Sequence, residues 1–219
     1  MQENLAPRRT YGRESVEFAR TLTFTDGLFA IAMTLLVVDL AVPTLTDHGS
    51  VHELAEQLGD DTSKFTSFFI SFAVIGRYWL AHHTYFSALA RIDRGLIALN
   101  LVYLAFIAFL PFPTALLGEY FENPLSIAIY AVNVAIVSGM EVVLFSYAHR
   151  HDFLERKLPR DVYRYGAAMS LAPVVFFLLS IPVAFISSTL AVCMWFLGIP
   201  LAAIAERWKP KGADDLLLG

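Results

Sequence analysis

Residues 20–42 form an apolar stretch long enough to cross a bilayer, and a carboxylate, Asp26, lies about two turns inside it beside Thr25. A carboxylate at that depth costs roughly 2.5–3.5 kcal/mol even on the lenient insertion scale. A chain that keeps it uses it, either for packing specificity or for moving a charge.

Composition extends this reading to the whole chain. Apolar residues make up 57% of the 219 residues and charged residues only 16%, with mean hydropathy +0.57. A soluble domain carries about 25% charge. The useful count is therefore of membrane spans. Hydropathy predicts an all-α integral membrane protein with six helices, at about 18–42, 65–89, 95–118, 124–148, 163–185 and 187–207. A five-span chain, or one with a re-entrant segment, stays open on hydropathy alone. Pro173 and Pro182 are expected to kink the fifth helix, and Ser187-Ser188 to turn the chain into the sixth. Residues 1–17 read as a cytoplasmic segment, 18–207 as one six-helix domain and 208–219 as a cytoplasmic tail. The first 17 residues are too polar for a signal peptide, with Arg8, Arg9 and Arg13, and the apolar run after them is too long.

Charge orients the spans. Of the 16 basic residues, all but Lys64 and Arg77 fall before or at the start of span 1, between spans 2 and 3, between spans 4 and 5 or at the start of span 5, or at the end of span 6 and after it. The opposite loops carry Asp47, Glu53, Glu56, Asp60, Asp61, Glu119 and Glu122. The positive-inside rule then puts both termini in the cytoplasm. Cys193, alone in an apolar stretch, reads as packing and offers no disulfide.

The intramembrane polar residues share one half of the bilayer. At 1.5 Å per residue, Asp26 lies about 12 Å from the cytoplasmic end of its helix, Arg77 about 18 Å, His83 about 9 Å, Asn100 about 8 Å and Glu141 about 10 Å. Each is costly alone, so mutual satisfaction is expected. Arg20 and Asp26 point about 120° apart and do not pair along one face. Donors for Asp26 must come from other helices, and Arg77, Trp79, His82, His83 and Asn100 are available. His82 and His83 are adjacent and point apart, which makes a poor metal pair. No metal or cofactor is expected. His149 and His151 fall in a basic loop and are expected to be solvated.

The first helix has two faces. Around Ile31, at 100° per residue, Phe24, Leu28, Leu35 and Val38 lie within about 60°, with Thr34 at the edge of that stripe. Asp26 points about 140° away and Thr25 about 120° away. An aliphatic stripe of this kind packs against lipid, against a core or around a pore.

The stretch Arg20-Thr21-Leu22-Thr23-Phe24-Thr25-Asp26-Gly27 resembles the Arg-x-x-x-Phe-Ser-Asp signature of the transmembrane protein 175 family of potassium channels, with Thr25 in place of serine. Phe29 to Asp39, Trp79-Leu80-Ala81-His82-His83, Asn100-Leu101 and Pro111-Phe112-Pro113 look like the same family. Spans 4–6 match by hydropathy only. The resemblance implies a homotetramer of six-span subunits in the cell membrane, with the first helix lining a central pore. It implies a constriction at Ile31, with Thr34, Leu35 and Val38 lining the pore beyond it. It also implies that Arg20, Phe24, Thr25 and Asp26 form a packing network with residues of spans 2 and 3.

The expected function is passive conduction of potassium, and of other monovalent cations, past a hydrophobic constriction. There is no Thr-Val-Gly-Tyr-Gly loop for a carbonyl filter, so weak selectivity is expected. Acidic residues at the outer mouth (Glu53, Glu56, Asp60, Asp61) would concentrate cations there. The alternative is a proton-coupled transporter or proton pathway using Asp26, His82, His83 and Glu141. No nucleophile–base pair or metal spacing points to an enzyme.

Overall fold

Local chemistry starts and stops each helix. In the computed structural model, which describes residues 9–198, 200, 204 and 206–210, Ser15 caps the first helix by accepting from the Phe18 N–H. That helix, α1, runs Val16–Leu35 and tightens into a 3-10 turn over Leu36–Asp39. Ser50 caps a short amphipathic helix, α2 (Val51–Asp60), and α3 follows over Thr62–Ser87. Asp93 caps α4 (Arg94–Phe109). Pro111, with no N–H to lose, opens α5 (Pro111–Glu119). Asn123 caps α6 (Pro124–Arg150), and Ser187 caps α8 (Ser188–Phe196). Between them α7 (Arg160–Ala184) continues through Pro173 and Pro182 as one helix.

Among the described residues four helical runs are long and apolar enough to cross a membrane: Val16–Asp39, Arg94–Glu119, Pro124–Arg150 and Arg160–Ala184. They correspond to the first, third, fourth and fifth expected spans. The second is present as α3, 26 residues long, but Lys64, Arg77 and two histidines lower its hydropathy. Part of the expected sixth span, 187–207, lies outside the described residues, and so does most of the 208–219 tail. The third expected span is two helices joined at Leu110, because the Pro111 ring cannot continue the α4 ladder.

Hydropathy did not point to two features. One is α2, whose side chains are all at least partly exposed. Its Glu53 accepts from the Thr46 and Asp47 N–H groups, and those backbone bonds hold its carboxyl below the usual carboxylate range. So Glu53 caps a loop and keeps its negative charge there. The other is a two-stranded sheet that joins the N-terminal segment to the connection between α3 and α4. Strand β1 (Thr10–Gly12) pairs antiparallel with β2 (Arg91–Asp93) in the register Thr10 to Asp93, Tyr11 to Ile92 and Gly12 to Arg91. Just after β1, Arg13 donates to the Ser87 carbonyl and pairs with Glu155.

The helices form a row. α1 packs on α3, α4 and α5, while α7 packs on α6 and α8. Between these flanks, α6 buries Tyr130, Val134, Val137 and Leu144. On the far flank Trp195 stacks on Phe177 and Tyr130, with centroids 4.8 and 5.0 Å away, and its Nε1 donates to Ser180 Oγ. Cys193 is exposed on α8, which corrects its expected role in packing.

Gly118 lets α5 approach α3. A Cβ there would stand 2.8 Å from Ser67 Oγ and 3.1 Å from the Lys64 Cα. Backbone cannot rotate away as a side chain can, so Gly118→Val should cost about 1–3 kcal/mol. The expected result is a thermal midpoint several degrees lower for the purified variant. An unchanged midpoint would mean that the α3–α5 contact is loose.

Candidate functional site

The two faces of α1 differ in burial, although Asp26 on the polar face is exposed. Phe18, Thr25, Phe29 and Ala32 are buried, as is Leu36 in the 3-10 turn. On the opposite side Ile31 is 60% exposed, Leu35 46% and Val38 71%, and Thr34 is exposed as well. Leu28, at the edge of the stripe, is half-buried. Thr34 donates its hydroxyl proton to the Ile31 carbonyl at 2.9 Å. With the proton committed inward, the oxygen presents lone pairs outward, as an acceptor for a cation or water.

A directional chain of hydrogen bonds holds the buried face. Thr25 donates to the Thr21 carbonyl at 2.9 Å, so its oxygen is free to accept from Asn100 Nδ2 at 3.0 Å. That contact turns Asn100 Oδ1 toward His82 Nε2, 2.9 Å away, and so assigns a proton to Nε2. The chain runs His82 to Asn100 to Thr25 to the α1 backbone and ties α3 and α4 to α1. Aromatic rings enclose the imidazole: Phe86 stacks at 4.0 Å and Tyr103 at 5.6 Å, with Phe29 tilted at 5.9 Å.

Asp26 belongs to a second, separate set. It accepts from Trp79 Nε1 at 3.0 Å, and the Trp79 ring stacks on His83 at 5.6 Å. Asp26 and His83 are both exposed in the protomer. Arg77 joins neither set. Its guanidinium lies 3.7 Å from the Glu141 carboxylate on α6 and 5.2 Å from the Tyr78 ring centroid.

The structure thus divides the expected network into three. It brings together Thr25, Asn100 and His82, then Asp26, Trp79 and His83, then Arg77 and Glu141. Arg20 and Phe24 are exposed, with no hydrogen bond or ion pair among the described residues. Phe24 continues the Ile31 stripe, as its position on the wheel requires. The groups named for a proton pathway do not form one bonded chain, since Asp26, His82 and Glu141 each belong to a different set. His149 and His151 are not simply solvated: they stack on Tyr163 and Tyr147 at 4.5 and 4.1 Å. Sequence reasoning missed the aromatic walls around His82. The spacing of His82 and Phe86, one helical turn apart, was the available signal.

Asn100 is the member that both sides of the first set need. Asn100→Leu would leave Thr25 and His82 each short of a partner, at about 1–3 kcal/mol per group. The expected result is a clear loss of thermal stability. Thr25→Ser keeps the hydroxyl and should cost only about 1 kcal/mol for the lost methyl. Equal effects from the two variants would show that the hydrogen bonds contribute nothing.

Known proteins resemble this chain in sequence and in fold. A family model described as Endosomal/lysosomal potassium channel TMEM175 matches residues 20–111. A potassium channel of Streptomyces collinus is 43% identical over 107 residues, which span 49% of this chain and half (50%) of that protein. A potassium channel of Chamaesiphon minutus is 32% identical over 200 residues, covering 84% of this chain and 92% of that protein. The crystal structure of a lysosomal potassium-selective channel TMEM175 homolog from Chamaesiphon minutus aligns with a TM-score of 0.70 at 30% identity, over 87% of this chain and 99% of that one. The likeness therefore continues beyond the first three spans, where the motifs lie. The chain belongs to the TMEM175 family.

Proposed function

We propose that this chain is the subunit of a potassium channel in the cell membrane, with passive conduction along an axis lined by α1. The observation that carries this reading is the exposed stripe of Ile31, Thr34, Leu35 and Val38 on a helix whose opposite face is buried and hydrogen-bonded. One copy of this stripe cannot surround an ion. Cyclic symmetry brings the same patch to the axis from every subunit, and four six-span copies with cytoplasmic termini is the assembly we infer.

The stripe then becomes a stack of rings. An apolar ring at Ile31 resists wetting when narrow and so acts as a gate. Potassium sheds water more readily than sodium, so a dehydrating ring favours potassium modestly. Thr34, one turn beyond, offers oxygen lone pairs to the partly dehydrated ion. The reading needs no catalytic group and no coupling ion.

Purified protein in liposomes should pass potassium down its gradient without a second ion. Ile31→Asn should wet the ring, raise conductance several-fold and lower the preference for potassium over sodium. Unchanged currents would remove Ile31 from the pore. Independently, Ile31→Cys or Leu35→Cys with Cys193→Ser should cross-link between subunits or give block by added cadmium ions. If both variants stay unlinked and insensitive, α1 does not line a shared axis.

A further inference from the structure

The flank opposite α1 ends in cations that form no ion pair among the described residues. Arg156 and Lys157 precede α7, and Arg160 and Arg164 lie on its first two turns. All four are exposed. Among the described residues none of them has an ion pair or hydrogen bond. Of the acidic neighbours, Glu155 is paired with Arg13, and Asp161, in the first turn of α7 about 100° from Arg160 and 60° from Arg164, forms no ion pair with either. The cap residue is Pro159, with no side-chain hydrogen bond to the first turn. The leading N–H groups and the positive end of the helix dipole are therefore open to an anion.

The same face is apolar farther along. At 100° per residue Arg160, Arg164, Leu171, Val175, Leu178 and Pro182 fall within an arc of about 60°. All six are exposed. This face lies on α7, which packs on α6 and α8 and so stands at the other end of the row from α1. If α1 faces the axis, this stripe faces hydrocarbon. A surface with cations and free N–H groups at one end and a continuous aliphatic track below them complements one kind of molecule: an anionic head on acyl chains.

We propose that the first turns of α7 bind the phosphate headgroup of an anionic glycerophospholipid from the cytoplasmic leaflet, with its acyl chains along Leu171, Val175 and Leu178. The site rests on the membrane orientation given under Proposed function. Zwitterionic lipids carry the same phosphate, but their ammonium group offsets its charge. Preference for a net anionic head is therefore the signature.

The test uses purified full-length protein in an uncharged detergent, with thermal unfolding followed as lipid is added. Phosphatidylglycerol should raise Tm, and phosphatidylcholine should not. Arg160→Gln with Arg164→Gln should weaken the response to phosphatidylglycerol about thirty-fold in concentration, the equivalent of ~1 kcal/mol for each cation lost. If that pair does not yield folded protein, Arg156→Gln with Lys157→Gln carries the test in the same direction. Equal shifts with both lipids, an unaltered response in the variants, or a full shift with glycerol phosphate alone would each overturn the proposal. The readout involves no ion flux. Lost flux with an intact lipid shift would count against the channel reading alone, and intact flux without the shift against this site alone.

Discussion

Hydrocarbon offers no hydrogen bonds, and this constraint organises the molecule. Every polar group in the bilayer must find its partner inside the protein or on a surface that water reaches. The Thr25 hydroxyl meets the requirement twice, giving its proton to the Thr21 carbonyl and accepting from Asn100. Because each bond fixes the direction of the next, the orientation of His82 is determined at a distance by the backbone of α1. An apolar contact in that place would permit sliding and rotation. The polar chain allows one rotation of α1 relative to α3 and α4, and that rotation leaves Ile31 outward.

The hydrophobic pattern carried much of this structure. The first, second, fourth and fifth expected spans agree with the helices found to within a few residues at each end. Elsewhere competing physics shifted the result. Leu110 and Pro111 interrupt the third span, because hydropathy does not count hydrogen-bond donors. The helix α2 is half polar and invisible to a span search. The strand pairing of Tyr11 with Ile92 joins residues 81 positions apart and has no local signal.

The candidate site shows the same boundary. Helical angle alone put Ile31, Leu35 and Val38 on one face and Thr25 on the other, and the structure keeps that division. Depth alone could not say which polar groups meet. Arg77 and Glu141 meet each other across α3 and α6 instead of joining Asp26. Rotation about the helix axis, set by packing, decides between partners at equal depth. That quantity is absent from a count along the chain.

The same geometry explains how one helix can hold its place while keeping a free face. At its N-terminal end β1 ties the chain to Arg91–Asp93, and Arg13 reaches both the Ser87 carbonyl and Glu155. In its middle, Thr25 and Asp26 take donors from α4 and α3. At its far end Leu36 is buried in the 3-10 turn beside α3 and α5. Three attachments at different heights, all on one side, fix the position, tilt and rotation of the helix. None of them uses Ile31, Leu35 or Val38, so the side chains on the free face can differ in size without disturbing the anchor. If α1 lines the pore as proposed, this is a useful separation: the width of a ring follows from its side chains, and the place of the helix follows from bonds on the opposite face.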